Sequence, residues 1–216
     1  MSEPTEIAAV LPWTNNLSRP VEIVVADLER FQGLLERWQK AQNLVSRETL
    51  DAFWTRHVAD SLQVLPLLPV GAGQIFDLGS GGGFPGLPLA ISNVGAGRHF
   101  VLCESNNRKT AFLRTAIREL SLDAKVLSGR IEDIDSRETG PADVILSRAL
   151  APLNRLMELS FPLLKPNGIL IFHKGRENAR EIEEAGANWR FDVVRHTSAT
   201  DDQGVLLEIT KLLPRS

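Results

Sequence analysis

An acid and a run of glycines carry the densest chemical information in this sequence. Asp77 lies near the end of the apolar stretch Ile75-Phe76-Asp77-Leu78, and five glycines follow within the eight residues from Gly79 to Gly86. Glycine reaches positive φ and leaves bare main chain for a ligand to lie against. The apolar run Leu87–Ile91 opens a helix whose free N–H groups face the loop. Strand, loop and helix start together form a cradle for a nucleotide-like molecule, with Gly79, Gly81 and Phe84 as contact positions. Asp77 either shapes the loop or senses positive charge on the ligand. Glu104 ends the next strand-like run, 25 residues beyond Gly79. A carboxylate there accepts hydrogen bonds from both hydroxyls of a ribose. Arg130-Ile131-Glu132 follows the third strand-like run. Its backbone would read an adenine edge and Ile131 would pack on the ring; as a plain exposed turn it would carry only an ion pair of little worth.

A glycine loop and a strand-end acid fit a nicotinamide dinucleotide and S-adenosyl-L-methionine equally. Three features favour the sulfonium donor. The sequence contains no tyrosine, which excludes the Tyr/Lys pair of short-chain dehydrogenases. No second substrate domain is visible after the α/β unit, and the last two strand-like runs form a hairpin. Missing motifs then narrow the acceptor. Cytosine C5 methylation needs a cysteine nucleophile near the fourth strand; the single cysteine, Cys103, lies in the second and reads as a small buried thiol. Exocyclic-amine methylation commonly uses an Asp/Asn-Pro-Pro-aromatic turn after the fourth strand, where Ser147-Arg148-Ala149-Leu150 stands. What remains is an acceptor that is nucleophilic while neutral. A ring nitrogen such as guanine N7 has a lone pair and no proton to lose, so proximity and orientation carry the catalysis. Arg148 is placed to touch substrate or the donor's carboxylate. Lys174 ends the fifth strand-like run at the same edge, unless it only snorkels at the surface. These two are the candidate catalytic residues.

The elements that must position these groups follow from periodicity. Residues 1–20, with Pro4, Pro12 and Pro20, read as a loose lead-in. Residues 21–70 read as a helical extension. Val24, Leu28, Phe31, Leu35 and Trp38 recur at three or four residues, and a second helical stretch runs from about Thr49 to Leu62. Residues 71–216 alternate. Strand-like runs are Gln74–Leu78, His99–Glu104, Ala124–Leu127, Asp143–Ser147 and Ile169–His173; helical runs are Leu87–Ile91, Lys109–Leu120 and Leu153–Lys165. Such alternation implies a parallel sheet with right-handed crossovers. A helix over Glu177–Ala185 then leads to Arg190–Arg195 and Val205–Lys211, close enough to pair as an antiparallel hairpin. Five serial βα units and a terminal hairpin make an α/β fold of the class I S-adenosylmethionine-dependent methyltransferase type, Rossmann-like and seven-stranded.

Composition agrees with a packed core: 216 residues, 43% hydrophobic and 24% charged. One cysteine excludes an internal disulfide and a multi-cysteine metal site, and the four histidines show no ligand spacing, so no metal is expected. The apolar Ile7–Trp13 run is short and lacks a basic lead, unlike a signal peptide, and no run reaches a membrane span. A cytoplasmic protein fits. The formal net charge of −3 speaks against indiscriminate nucleic-acid coating. The stretch Arg98–Arg130 is nonetheless locally basic, either as a solvated helix face or as an RNA approach.

Several separated motifs, in order, resemble the bacterial 16S rRNA guanine-N7 methyltransferases that act on guanine 527, the glucose-inhibited division protein B family. They are Arg56-His57-xx-Asp60-Ser61-Leu62, Asp77 through Ala90, Glu104-Ser105, Lys109-xx-Phe112-Leu113, Ser147-Arg148-Ala149 and Lys174-Gly175. The family commonly shows Asn where Gln39 stands and Asn-Leu-Thr where Asn43-Leu44-Val45 stands. The resemblance implies a class I fold with an N-terminal helical extension. It also implies donor contacts at Gly79, Phe84, Ile131, Glu132 and Arg148, with Glu104 at the ribose; Ser105 is included beside it. The substrate would be an unstacked guanine in 16S rRNA or the small subunit. Arg56, His57, Arg108, Lys109, Lys174 and Arg176 are the candidate RNA contacts. Arg56, His57 and Asp60 share a helix face, which also fits a network tying helix to domain. No membrane and no DNA are expected as partners, and a monomer is. Other readings are a methyltransferase for a small molecule or protein, a donor-binding assembly factor that has lost catalysis, and a nicotinamide oxidoreductase.

Overall fold

The structure, a computed structural model, describes residues 8–40, 43–46 and 50–215. Seven strands form one sheet in the order β3-β2-β1-β4-β5-β7-β6. They are β1 (Gln74–Leu78), β2 (His99–Glu104), β3 (Ala124–Ser128), β4 (Ala142–Arg148), β5 (Leu164–Lys174), β6 (Trp189–Thr197) and β7 (Val205–Pro214). The first five pair in parallel, and β7 runs antiparallel to both β5 and β6. The longer helices are α1 (Val21–Gln39), α2 (Gly86–Ser92), α3 (Asn107–Glu119), α4 (Leu153–Ser160) and α5 (Asn178–Ala185). No described helix is long and apolar enough to cross a membrane.

Strand side chains alternate between two faces, and the core divides accordingly. Ile75, Phe100, Leu102, Val144 and Ile171 pack with α1, α2 and α3. Phe76, Leu78, Val101, Cys103, Ile145 and Phe172 pack with α4 and α5. The helical extension shares the first of these clusters: Leu28, Phe31, Leu35, Phe53 and Leu62 are buried with the sheet residues. The rings of Phe31, Phe53 and Phe84 lie within 5.4–6.1 Å of one another. Extension and glycine loop are therefore continuous in packing.

Three expectations change. Residues 8–20 are not loose. Ala9 and Val10 are buried, Leu11–Asn16 forms a 3₁₀ turn with Pro12 in its first turn, and Ser18 Oγ donates to the Ser92 carbonyl at 3.0 Å. Proline fits there because that N–H would have no helical partner. The helix expected over Leu153–Lys165 stops at Ser160. A 3₁₀ turn over Phe161–Leu163 carries Pro162, and β5 begins at Leu164; proline removes the donor an α-helix needs. The second helical stretch is π-wound over Phe53–Ala59 before α-winding at Asp60–Leu62. Its expected start at Thr49 lies outside the described residues.

Candidate active site over the glycine loop

The C-terminal ends of the parallel strands meet at one edge. Leu78 pairs with Cys103 and Ser147, and Arg148 with His173. Strand order reverses between β1 and β4, which opens a crevice at that edge. The glycine loop occupies it. Gly79 (φ 72°) and Gly81 (φ 56°) are left-handed, a conformation that a Cβ disfavours. The N–H groups of Gly79 and Ser80 donate to the Cys103 carbonyl at 2.9 and 3.1 Å, stapling the loop to β2.

Glu104 is fixed by main chain alone. Its Oε2 accepts from Gly81 N–H at 2.9 Å and its Oε1 from Asn106 N–H at 2.8 Å. Each oxygen keeps a further lone pair for a ligand hydroxyl. Asn106 in turn caps α3, its Oδ1 accepting from the N–H groups of Arg108 and Lys109. Asp77 lies beneath the loop, 1% exposed; its Oδ2 accepts from Gly86 N–H at 3.1 Å and its Oδ1 has no partner. Burial pushes this carboxyl up to about 6, with hydrogen bonds from Ser80 and Gly86 opposing.

The other half of the crevice is built from side chains. Arg148 NH1 donates to the Arg56 carbonyl at 3.1 Å and pairs with Asp60 Oδ2 at 3.0 Å; its NH2 lies 3.1 Å from His57 Nδ1. The guanidinium carbon stands 5.3 Å from the centre of the Phe84 ring. His57 stacks on that ring at 4.4 Å. A guanidinium only donates, so His57 Nδ1 accepts and the imidazole is neutral with its proton on Nε2. Burial and the nearby Arg148 charge push His57 down to about 4. His173 is also held below its ordinary value, first by burial, and its Nε2 lies 2.9 Å from the Asp60 carbonyl. Together with the loop these groups line a cavity of about 570 Å³, within the range of small-ligand sites.

The structure brings some of the expected site residues together and separates others. Gly79, Gly81, Phe84, Arg148, Lys174, Arg56 and His57 line the cavity. Glu104 reaches it only through its bond to Gly81. Ser105 is exposed beside it, while Ile131 and Glu132 lie past β3. Ile131 packs against the second core cluster, and Glu132 pairs with Arg130 and Arg155. His57 is 5% exposed and faces Phe84 and Arg148, so it belongs to the wall, not to an RNA-facing surface. Lys174 is not the free strand-end cation that the sequence suggests. Its side chain is 8% exposed, its Nζ lies 2.5 Å from Glu181 Oε2 and it donates to the Ala151 carbonyl at 3.0 Å. Glu181 also accepts from Leu153 N–H at 2.6 Å. The pair thus pins the segment that follows Arg148. Arg108 and Arg176 are exposed, and Lys109 is partly so. Glu181 and Thr200 join the site without a signal in the sequence; nothing local distinguishes them from surface polar residues. Among the described residues no group of His, Cys, Asp or Glu is arranged to hold a metal.

Comparison with known proteins supplies the family. Residues 24–206 match the family GidB, described as rRNA small subunit methyltransferase G. A protein named ribosomal RNA small subunit methyltransferase G from Bartonella tribocorum is 45% identical over 187 residues, covering 86% of this chain and 87% of that one. The protein of the same name from Rhizobium etli is 46% identical, covering 86% and 91%. In fold, the chain is similar to the crystal structure of cofactor-bound Rv0187 from MTB, with a TM-score of 0.61 and 13% identity over 98% of this chain and 99% of that one. An O-methyltransferase from Bacillus cereus in complex with SAH gives 0.59 at 17% identity, over 94% and 97%. These two likenesses concern the fold alone; on the sequence match this chain belongs to the GidB family of ribosomal RNA small subunit methyltransferases.

Proposed function

We propose that this chain methylates N7 of a guanine in 16S rRNA, at position 527 on the family resemblance, acting as a cytoplasmic monomer on RNA and not on DNA. The observation that carries this reading is Arg148, held from three sides over the Phe84 ring where the glycine loop meets the helical extension. Such a fixed cation fits an acceptor that has to be aligned more than deprotonated.

S-adenosyl-L-methionine supplies an electrophilic methyl group. The residues present fit it: Glu104 offers free lone pairs beside Gly81 for ribose hydroxyls, and at Gly81 a Cβ would meet nothing nearer than the Gly79 carbonyl at 3.8 Å, so main chain is open there. Guanine N7 carries a lone pair and no proton, so the site needs no general base. His57 is a poor base in any case, its Nδ1 lone pair engaged by Arg148 and its pKa lowered to about 4. Arg148 would orient the target base or the donor's carboxylate through its guanidinium N–H groups. Lys174, neutralised by Glu181, would hold the 148–153 segment in place and not touch substrate directly.

RNA would approach over α3. Arg108 and Lys109 sit in its first turn, where the helix dipole disfavours cations, and that turn holds no acid. Among the described residues Arg108, Lys109 and Arg114 make no ion pair, whereas Arg118 pairs with Glu119. Unneutralised cations at the unfavourable helix end fit a phosphate backbone as partner. Arg56 and Arg176 would extend this surface along the crevice.

Methyl transfer from radiolabelled donor to bacterial small subunits and to stripped 16S rRNA, with the product nucleoside identified, tests the reading. Labelled 7-methylguanosine is the expected product. Intact donor binding without transfer to either substrate would reject it in favour of an assembly factor.

A further inference from the structure

Asp60 joins segments that the sequence keeps far apart. Its Oδ2 pairs with Arg148 NH1 at 3.0 Å, and its Oδ1 accepts from Thr200 Oγ1 and from Gln63 Nε2, both at 2.8 Å. Its carbonyl oxygen lies 2.9 Å from His173 Nε2. Gln63 continues the link, its Oε1 accepting from Ala199 N–H at 2.9 Å. One side chain in the extension therefore touches the end of β4 and the β6–β7 turn, while its own backbone meets the end of β5.

We propose that Asp60 is a positioning residue for methyl transfer, its carboxylate fixing the Arg148 guanidinium at the substrate side of the glycine loop. The inference rests on the function proposed above. Among the described residues Asp60 is the one carboxylate within ion-pair distance of Arg148. His57, being neutral, offers a hydrogen-bond acceptor but no charge, and the Arg56 carbonyl likewise. An arginine side chain is long and carries about 2 kcal/mol of rotamer entropy. Holding its planar fork in one orientation requires acceptors in more than one direction. Asp60 supplies the anionic one, and Thr200 and Gln63 fix the carboxylate from behind. Both charged side chains are largely sheltered, 21% and 15% exposed, where a directed pair is less screened than on the surface. Burial resists the charge on Asp60. The positive neighbours Arg148 and, when protonated, His173 overcome that, with hydrogen bonds from Thr200 and Arg148, and hold the carboxyl below its ordinary value.

A positioning role and a purely structural one separate in a double-mutant cycle on methylation of small subunits. Asp60→Asn is expected to lower kcat about tenfold or more, in line with coupling energies of contacting charged residues, while KM and the donor Kd stay within about twofold. Asp60→Glu should recover part of the rate. In an Arg148→Lys background, which lacks the planar fork, Asp60→Asn should cost far less. Gln63→Met removes one of the two supports behind the carboxylate without touching Arg148; it should lower Tm and cost clearly less kcat than Asp60→Asn, because Thr200 still holds the carboxylate. Equal fold-losses from Asp60→Asn in both backgrounds, or a kcat loss in Gln63→Met as large as in Asp60→Asn, would overturn the proposal. If the Asn variant does not fold, the cycle of Asp60→Glu with Arg148→Lys is read in the same way. A wild-type protein that binds donor but methylates nothing would instead reject the proposed function.

Discussion

The two halves of the crevice are held by different means. On the β1–β2 side, the hydrogen bonds that shape the glycine loop all involve main chain: Cys103 carbonyl to Gly79 and Ser80, Glu104 to Gly81 and Asn106, Asp77 to Gly86. On the β4–β5 side, the polar contacts that place Arg148 come from the extension, the Asp60 and His57 side chains and the Arg56 carbonyl, with Thr200 of the β6–β7 turn bracing Asp60. Backbone-anchored geometry is set by a short local stretch and tolerates changes elsewhere. A side-chain network assembled from distant segments depends on each member, and its contributions are not additive. The donor half should therefore respond to mutation in affinity and the acceptor half in rate.

Arg148→Ala is the strongest test of that division. It should lower kcat about 10²- to 10³-fold, the scale of losing a preorganised donor in an active site, with the donor Kd changed only a few-fold. A rise in donor Kd of the same size with kcat preserved would move Arg148 into the donor half and dissolve the division. Glu104→Ala should behave in the opposite way. Loss of two charge-assisted hydrogen bonds to a ribose should raise the donor Kd about 10- to 100-fold, measured by calorimetry, with kcat at saturating donor nearly intact. Unchanged donor affinity would contradict the ribose role.

Buried ionisable groups in the two halves also pull stability in opposite directions. Asp77, in the donor half, is pushed from 3.8 to about 6. Between those values the folded chain keeps a proton that the unfolded chain has lost, so this group's contribution falls as pH rises. His57, in the acceptor half, is pushed from 6.5 down to about 4. There the unfolded chain holds the extra proton, and the contribution rises with pH; His173, lowered as well, adds in the same direction. The two halves offset each other between about pH 4 and 6. Asp77→Asn removes one side of the balance. Urea unfolding across this window should show the variant gaining stability with pH more steeply than wild type, by up to about 3 kcal/mol over two pKa units. Parallel pH curves would mean that Asp77 ionises normally.

The same contrast explains what is legible in the sequence. The strand, glycine loop and helix around Gly79, the acid at Glu104 and the alternation that builds the sheet are local signals, and each lies where its spacing indicates. Arg148 and Lys174 are legible as strand-end cations, but their partners are not. Asp60 lies 88 residues from Arg148 and 140 from Thr200, and Glu181 reaches Lys174 from helix α5. No periodicity encodes which of several surface carboxylates folds back onto a given cation. Lys174 consequently reads as free in the sequence and is paired in the structure. The lead-in differs from its expectation for a related reason: Ala9 and Val10 are buried by residues far along the chain, and prolines alone suggest looseness.

The smallest expected effect belongs to neither half. Arg108 and Lys109 stand in the first turn of α3, outside the cavity and without ion pairs among the described residues. Alanine at both should leave donor Kd unchanged, because Asn106 still caps the helix and Glu104 still receives the Asn106 N–H. Stability should hold or rise slightly, since two cations leave the positive end of the helix dipole. RNA affinity should weaken by a few-fold at moderate salt. The slope of log K against log salt should become shallower by about 0.7 to 0.9 for each phosphate that these side chains no longer neutralise. The slope is the decisive readout. A weaker affinity with an unchanged slope would mean that these cations shape the helix and do not touch phosphates, and the RNA path would then have to run over the opposite wall, past Arg56 and Arg176.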